Sequence, residues 1–280
     1  MHESVSRSAA FHPAGFFDVT KVWALLLRYN YLYRRSPPRL LEIIFWPVMD
    51  LLVWGFLTTY LKQGAVDVPG AVTFLIGGMI LWDVLYRSQQ GVSLSFMEDM
   101  WSHNLINIFA APVRVREFLV ATYGVGFIKV FLVTVVLGFM SLWFYDFALF
   151  SLGASLLPLF VNLLILGWSM GMLTTGLILR FGHAAQALAW GVPFLIQPLS
   201  AVFYPVSVLP AWLQPVAWCL PSTHVFEGMR AVMNGGGFPT SSLLWATGLN
   251  VIYVIVAASV FAGIFHAARE KGLLNKIGTR

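Results

Sequence analysis

Three sets of residues have types and spacings that could do chemistry. Gly167-Trp168-Ser169-Met170-Gly171 reproduces the G-x-S-x-G pattern of serine hydrolases. That pattern makes a nucleophile only at a strained strand-to-helix turn, with a His and an acid converging on the serine. Here it lies inside a long apolar run, where Gly167 and Gly171, four apart, suit small-xxx-small helix packing. His224 and Glu227 could share a helix face, yet two ligands without a third make a poor metal site. No metal is expected, and His224 reads as a capping or interhelical hydrogen-bond donor. The third set is Asp50, Asp83, Arg87 and Lys129, each well inside an apolar stretch. A charge at the bilayer centre costs about 2.5–3.5 kcal/mol even on the lenient insertion scale, so none of the four is expected to face lipid. Asp83 and Arg87 are spaced to pair on one helix. Asp50 should lie at the depth of Asp83, with Lys129 near enough to join. Two acids and two bases make a nearly neutral cluster, which favours structural glue over a proton or substrate relay. No residue is assigned as catalytic.

The elements that must position these residues belong to a membrane protein. The 280 residues are 59% hydrophobic and 10% charged, with mean hydropathy +0.78. Soluble domains do not carry that much apolar surface, so the bilayer must be the solvent. The net charge of +5 is then read by location and not as a nucleic-acid footprint. Lone Cys219 excludes an internal disulfide and argues against a thiolate metal site. Residues 1–20 hold no apolar core of signal-peptide length, so the amino terminus is expected to be retained.

Six apolar stretches, 41–61, 71–97, 117–145, 154–180, 184–204 and 242–266, each reach the roughly 20 residues that a crossing needs. The expected fold is an all-α membrane protein with six transmembrane helices. Lys and Arg orient it: Arg7, Lys21, Arg28, Arg34, Arg35 and Arg39 precede the first stretch, Arg114 and Arg116 follow the second, Arg180 ends the fourth, and Arg269, Lys271, Lys276 and Arg280 form the tail. Lys62 and Arg230 fall on the opposite side. Both termini are therefore expected in the cytoplasm. Phe17, Val22, Trp23, Leu26, Leu27, Tyr29 and Tyr33, interleaved with Lys21, Arg28 and Arg34, read as an amphipathic helix flat at the headgroups, broken by Ser36-Pro37-Pro38. Its main reading is a lipid-anchoring belt, although it could also brace a partner.

Two further segments stand out. Residues 96–109 form a short amphipathic pattern with Met97, Trp101, Leu105, Ile108 and Phe109 on one face and Glu98, Asp99, His103, Asn104 and Asn107 elsewhere, ended by Pro112. Such a segment reads as a rigid cytoplasmic knob on which a partner docks. The tract from Leu188 to Pro221 carries Pro193, Pro198, Pro205, Pro210, Pro215 and Pro221, too many for one straight helix. Its length suits a kinked span followed by a re-entrant hairpin, tolerated only where protein or a water-lined cavity covers the backbone. Gln89, Gln90 and Ser93 make the inner half of the second stretch polar, and either line a cavity or bond to neighbouring helices. Trp82 beside them could pack or line a path.

These features together resemble the permease subunits of type-2 ATP-binding-cassette exporters. One matching pattern runs from Glu98 through Ala110-Ala111-Pro112-Val113-Arg114-Val115-Arg116-Glu117. The other is Ala201-Val202-Phe203-Tyr204-Pro205, then Leu209-Pro210, Leu220-Pro221, His224, Glu227 and Arg230, with Ala201 where the family usually has Gly. The resemblance implies a dimer of six-helix permeases, each gripping a separate cytoplasmic ATPase, two copies in all. The ATPase would be held by a coupling helix at 98–110, with Glu98, Asp99, Trp101, His103, Leu105, Pro112, Arg114 and Glu117 as coupling residues. It also implies an outer re-entrant gate at 205–241 between helices 5 and 6, involving Phe203, Tyr204, Pro205, Pro210, Pro221, His224, Glu227 and Arg230.

The division expected is a cytoplasmic segment 1–40 with its interfacial helix and one permease domain 41–280. Independently of any resemblance, the chain has no G-x-x-x-x-G-K-[ST] phosphate loop, and none of its five lysines precedes Ser or Thr. If ATP drives this protein, another chain must bind it with its Mg, and this chain holds no cofactor. The expected function is ATP-driven export of an amphipathic substrate, a lipid, lipid-linked glycan or hydrophobic drug, across a bacterial inner membrane. The alternative is an ion-coupled transporter or channel using the buried charges.

Overall fold

The computed structural model describes residues 17–63 and 71–270, and every regular element there is helical. Helix α1 (Val19–Arg34) starts where the Asp18 side chain accepts from the Thr20 N–H at 2.9 Å, an N-cap on an otherwise unpaired donor. The chain turns at Ser36 into α2 (Pro37–Gln63), whose first residue is a proline, the position where the missing N–H costs nothing. Then come α3 (Ala71–Trp101), α4 (Leu105–Ala110), α5 (Val115–Tyr145) and α6 (Leu156–Phe181), the last entered through a 3-10 turn at Leu149–Ser155. Beyond them lie α7 (Leu188–Leu199), α8 (Gln214–Trp218), α9 (Pro221–Met233) and α10 (Thr240–Glu270).

Four of these stretches are long and apolar enough to cross a membrane: Pro37–Leu61, Val115–Tyr145, Leu149–Phe181 and Thr240–Ala268. Helix α3 is as long as α5, but its polar residues from Asp83 to Ser95 dilute its apolar character. The stretch expected as a fifth span, 184–204, departs further from expectation. Its helix covers only Leu188–Leu199, about 18 Å at the usual rise and short of a hydrocarbon core of about 30 Å. The backbone explains the break. Pro193 and Pro198 lie inside α7, and Ala201 follows with φ of 51°, the left-handed region. Arg7, Lys271, Lys276 and Arg280, on which the expected orientation leans, lie outside the described residues.

Helix α3 is the spine, packed against α2, α5, α6, α7 and α9. Glycine makes the closest approaches possible. A Cβ on Gly91 would sit 2.4 Å from the Gly126 Cα of α5. A Cβ on Gly171 would sit 2.8 Å from the Val92 Cβ, and one on Gly167 would run into Ser88 and the Leu85 carbonyl. Ser169, between those two glycines, donates to the Ile165 carbonyl at 2.9 Å within α6 and is fully buried. The G-x-S-x-G run is thus a helix-packing surface. Helices α6 and α10 are joined by a polar contact of their own: Asn250 Nδ2 donates to Asn162 Oδ1 at 2.9 Å, and Thr247 adds a longer bond to the same oxygen.

Overpacking the α3–α5 contact should cost about 1–3 kcal/mol. Gly91→Ala is therefore expected to melt measurably lower in detergent, followed by tryptophan fluorescence, whereas Gly153→Ala, which meets no neighbour within 4 Å, meets only backbone strain at its φ of 55°. An unchanged Gly91→Ala midpoint would refute the close approach. At Ala201 the left-handed backbone costs roughly 1–2 kcal/mol. Glycine there loses one buried methyl, worth about 0.8 kcal/mol. Ala201→Gly should accordingly raise the midpoint slightly, and a fall would show that packing outweighs strain.

Candidate functional site

The end of the bundle that carries α4 is held by side chains from three helices. Asp99, 1% exposed near the end of α3, accepts from Tyr29 Oη at 2.5 Å and forms an ion pair with Arg28 of α1. One turn along, Tyr33 donates to Glu98 at 3.1 Å, while Lys129 of α5 donates to Tyr33 Oη at 2.5 Å and sits 3.9 Å from the centre of its ring. Glu117 joins the third corner. Its Oε2 accepts from the Arg114 N–H at 2.8 Å, capping α5, and its Oε1 accepts from the Asp18 N–H at 3.1 Å at the start of α1. Lys21 Nζ donates to the Pro112 carbonyl at 2.7 Å. Burial first, and then the Asp99 carboxylate, push the Tyr29 phenol well above its ordinary range. Burial and Glu98 do the same for Tyr33. Arg28 is also raised: burial opposes its charge, but Asp99 outweighs that penalty. Both phenols therefore remain protonated donors at physiological pH.

Helix α1 is thus bolted to the bundle, with Tyr29, Tyr33, Val22 and Leu25 buried against α5. Its Arg28 pairs with Asp99 of the chain's own α3, while Trp23, Leu27 and Tyr31 stay exposed on the rest of the helix. Sequence reasoning did not pair Arg28, Tyr29 and Tyr33 with the two acids. The available signal was their spacing, since Tyr29 and Tyr33 stand one turn apart and Glu98 and Asp99 are adjacent.

The expected single helix across 98–110 is two pieces. Helix α3 ends at Trp101, His103 takes φ of 52°, and the six-residue α4 begins at Leu105. The left-handed residue reverses the chain, so the apolar face splits. Met97, Leu105 and Ile108 turn inward with Phe96, Met100, Phe118, Ile178 and Ala268, whereas Trp101 remains 47% exposed beside exposed His103. Leu105, at 3% exposure, is core. What this knob offers a partner is Trp101, Ser102, His103, Asn107, Pro112, Arg114 and Arg116.

At mid-depth the expected cluster divides. Arg87 Nε pairs with both oxygens of Asp83 at 2.7 and 2.9 Å, and both are mostly buried. Lys129 is taken up by Tyr33 and pairs with neither Asp50 nor Asp83. Asp50 is exposed on α2, close enough to Arg87 to interact electrostatically. Gln89 and Ser93 are fully buried, and Gln89 Nε2 donates to Thr174 Oγ1 of α6 and to Ser93 Oγ, each at 3.3 Å. Gln89 thus bonds across to α6, whereas Ser93 stays within α3 and donates to the Gln89 carbonyl at 3.1 Å. Trp82 lies in the central apolar cluster. Gln90 and Tyr86 are half-buried, and the Tyr86 ring lies 5.6 Å from that of Phe194 of α7.

At the far end, α9 repairs the break after α7. Arg230 Nη2 donates to the carbonyls of Ala201 and Tyr204, the latter at 2.6 Å, and its guanidinium lies 4.2 Å from the Phe74 ring centre. Glu227 accepts from the Val206 N–H at 2.8 Å and pairs with Arg230 at 2.8 Å. Tyr204 Oη donates to the Pro198 carbonyl at 2.7 Å, and Phe203 stacks on Trp54 of α2 at 4.1 Å. His224 Nε2 donates to the Trp218 carbonyl at 2.9 Å, the capping role expected of it. Pro210 accepts from the Leu213 N–H through its carbonyl, Pro205 precedes a 3-10 turn, and Pro221 opens α9. The residues expected at an outer gate are thus brought together as a backbone repair, with Arg230 and Glu227 supplying the missing donor and acceptor.

The family profile for ABC-2 type transporters matches residues 20–234. The chain is 23% identical over 160 residues to the inner membrane transport permease YadH of Escherichia coli K12, covering 56% of this chain and 60% of YadH. It is 24% identical over 203 residues to ABC transporter G family member 20 of Dictyostelium discoideum, covering 72% of this chain and 28% of that protein. With the family profile spanning most of the described bundle, the chain is an integral membrane protein and belongs to the ABC-2 type transporter family.

Proposed function

We propose that this chain is the transmembrane subunit of an ATP-driven exporter, working as a pair of permease copies on two separate cytoplasmic ATPase subunits that bind ATP and Mg. The observation that carries this reading is the clamp of Asp99, Glu98 and Glu117 on α1. It makes the knob, α1, the end of α3 and the start of α5 one body, so a push on α4 moves them together. Glycine contacts pass the movement to α6, because helices this close cannot slide independently. The basic residues of α1, with Arg114 and Arg116, support a cytoplasmic side for this end, here at a bacterial inner membrane. In this reading α3 and the 184–204 segment, of which α7 is only the helical part, complete six crossings, with α8 and α9 as a re-entrant outer gate whose broken backbone the α9 clamp holds closed. The cargo is amphipathic, moved from the cytoplasm or inner leaflet. Ion-coupled transport needs Asp50, Asp83, Arg87 and Lys129 on one path. Lys129, engaged by Tyr33 at the α1 end, weakens that rival.

Two outcomes test the coupling. Trp101→Asp should reduce co-purification of the ATPase and substrate-stimulated hydrolysis at least several-fold without shifting the melting midpoint, because Trp101 is half open to solvent. Leu105→Asp should instead unfold this end. Full ATPase capture by folded Trp101→Asp protein would remove the knob from the docking surface. Arg28→Ala leaves buried Asp99 with only the Tyr29 bond, a loss of about 1.5–3 kcal/mol for a hydrogen bond to a charge. ATP hydrolysis should continue in that variant while transport falls. Transport at the normal ratio to hydrolysis would show that α1 transmits nothing.

A further inference from the structure

Asp50 is the fourteenth residue of the 25-residue apolar stretch Pro37–Leu61, one past its midpoint. It is exposed, and among the described residues no hydrogen bond or ion pair reaches its carboxylate. It lies on one helical stripe with Trp46, Val53 and Leu57, all exposed and all apolar. A bare carboxylate at that depth cannot face hydrocarbon without a large penalty, so it borders a wet path or meets a cation. Arg87 does not neutralise it, because Asp83 already holds the guanidinium with both oxygens. The count for the three groups is Asp50 −1, Asp83 −1 and Arg87 +1, a net of −1.

The surroundings say what sort of cation would fit. Asp50 lies within electrostatic reach of Arg87 and Tyr86, which with Gln90 are half-buried on α3. On α7, exposed Phe194 lies 5.6 Å from the Tyr86 ring centre. One turn beyond Asp50, Trp54 stacks on Phe203. Aromatic faces and a lone carboxylate in a low-dielectric setting select a large, weakly hydrated cation over an anion or a small hydrated ion.

We infer that this face, where α2, α3 and α7 bring Asp50 and aromatic rings together, recognises cargo by positive charge: an organic cation or cationic amphiphile, with Asp50 as its counter-charge and the Tyr86, Phe194 and Trp54 rings as its apolar contacts. The inference rests on the transporter reading, and it assigns that path its substrate class. In a pair of permeases, Asp50 of each copy would give the path two such carboxylates and make the preference stronger.

A matched pair of probes tests this on the full chain in phosphatidylcholine nanodiscs, net of binding to empty discs. Tetraphenylphosphonium and tetraphenylborate share size and shape and differ in charge. The cation should bind better than the anion. Asp50→Asn should weaken cation binding by about tenfold or more and leave the anion unchanged or improved. Asp50→Glu should retain most of the preference, and both variants should melt like the parent because the side chain is exposed. Equal binding of the two probes, or an Asp50→Asn variant that keeps the preference, overturns the inference. Coupling is read separately, as hydrolysis by the permease–ATPase complex. Intact coupling without charge preference defeats the cation site alone, whereas an Asp50-dependent preference in a complex that never couples defeats the exporter reading and leaves the site standing.

Discussion

Hydrocarbon offers a buried polar atom no partner, and α3 is the helix on which that constraint bears hardest. It carries Asp83, Arg87, Ser88, Gln89, Ser93 and Ser95 through the middle of the bundle. Lipid exposure would make such a helix untenable. Surrounding it with α5 and α6 at glycine-limited distance supplies bonds that it cannot make alone: Thr174 reaches Gln89 only because Gly167 and Gly171 let the two backbones close. Ser88 and Ser95 turn their hydroxyls back to the carbonyls of Leu85 and Gly91, which satisfies them within the helix. The polar strip and the glycines are two halves of one requirement, and together they make α3 the rigid axis on which any movement must turn.

Charges are handled differently at the two depths. At the α4 end each buried acid is met by a residue from another helix, Asp99 by Arg28 and Tyr29, Glu98 by Tyr33, Glu117 by the start of α1. Such bonds tie segments together and resist relative motion. At mid-depth Asp83 is met by Arg87 of its own helix, one turn away. An intrahelical pair neutralises charge within α3, so the joining of helices at this depth falls to apolar packing, the glycine contacts and the Gln89–Thr174 bond.

Much of the architecture was legible because long apolar helices announce themselves. The stretches expected at 41–61, 71–97, 117–145, 154–180 and 242–266 lie within α2, α3, α5, the 3-10 turn with α6, and α10, extended where polar ends continue the helix into the headgroups. The division at 184–204 was less legible, since hydropathy counts residues and does not sense a left-handed Ala201. The knob showed a similar limit. Helical spacing placed Trp101 and Leu105 on one face, but a single positive φ at His103 between them sends one to solvent and the other to the core. Lys129 was grouped with the acids by depth alone, and only tertiary structure shows Tyr33 nearer. Asn162 and Asn250, a bond between α6 and α10, gave no signal because one amide in an apolar helix looks like any other until its partner is known.

The far end shows why two separated pieces of the family pattern must occur together. A helix broken inside a membrane strands carbonyls at its end and N–H groups at the start of the next segment. After α7 those are the carbonyls of Ala201 and Tyr204 and the N–H of Val206. Water cannot be assumed at that depth, so the protein must supply both a donor with several N–H groups and an acceptor beside it. Arg230 and Glu227, one turn apart on α9 and paired with each other, are the smallest set that does both without leaving a net charge. Neither role is legible from the residue's own neighbours in sequence; each appears only as the answer to a backbone that Pro193, Pro198 and Pro205 prevent from answering for itself.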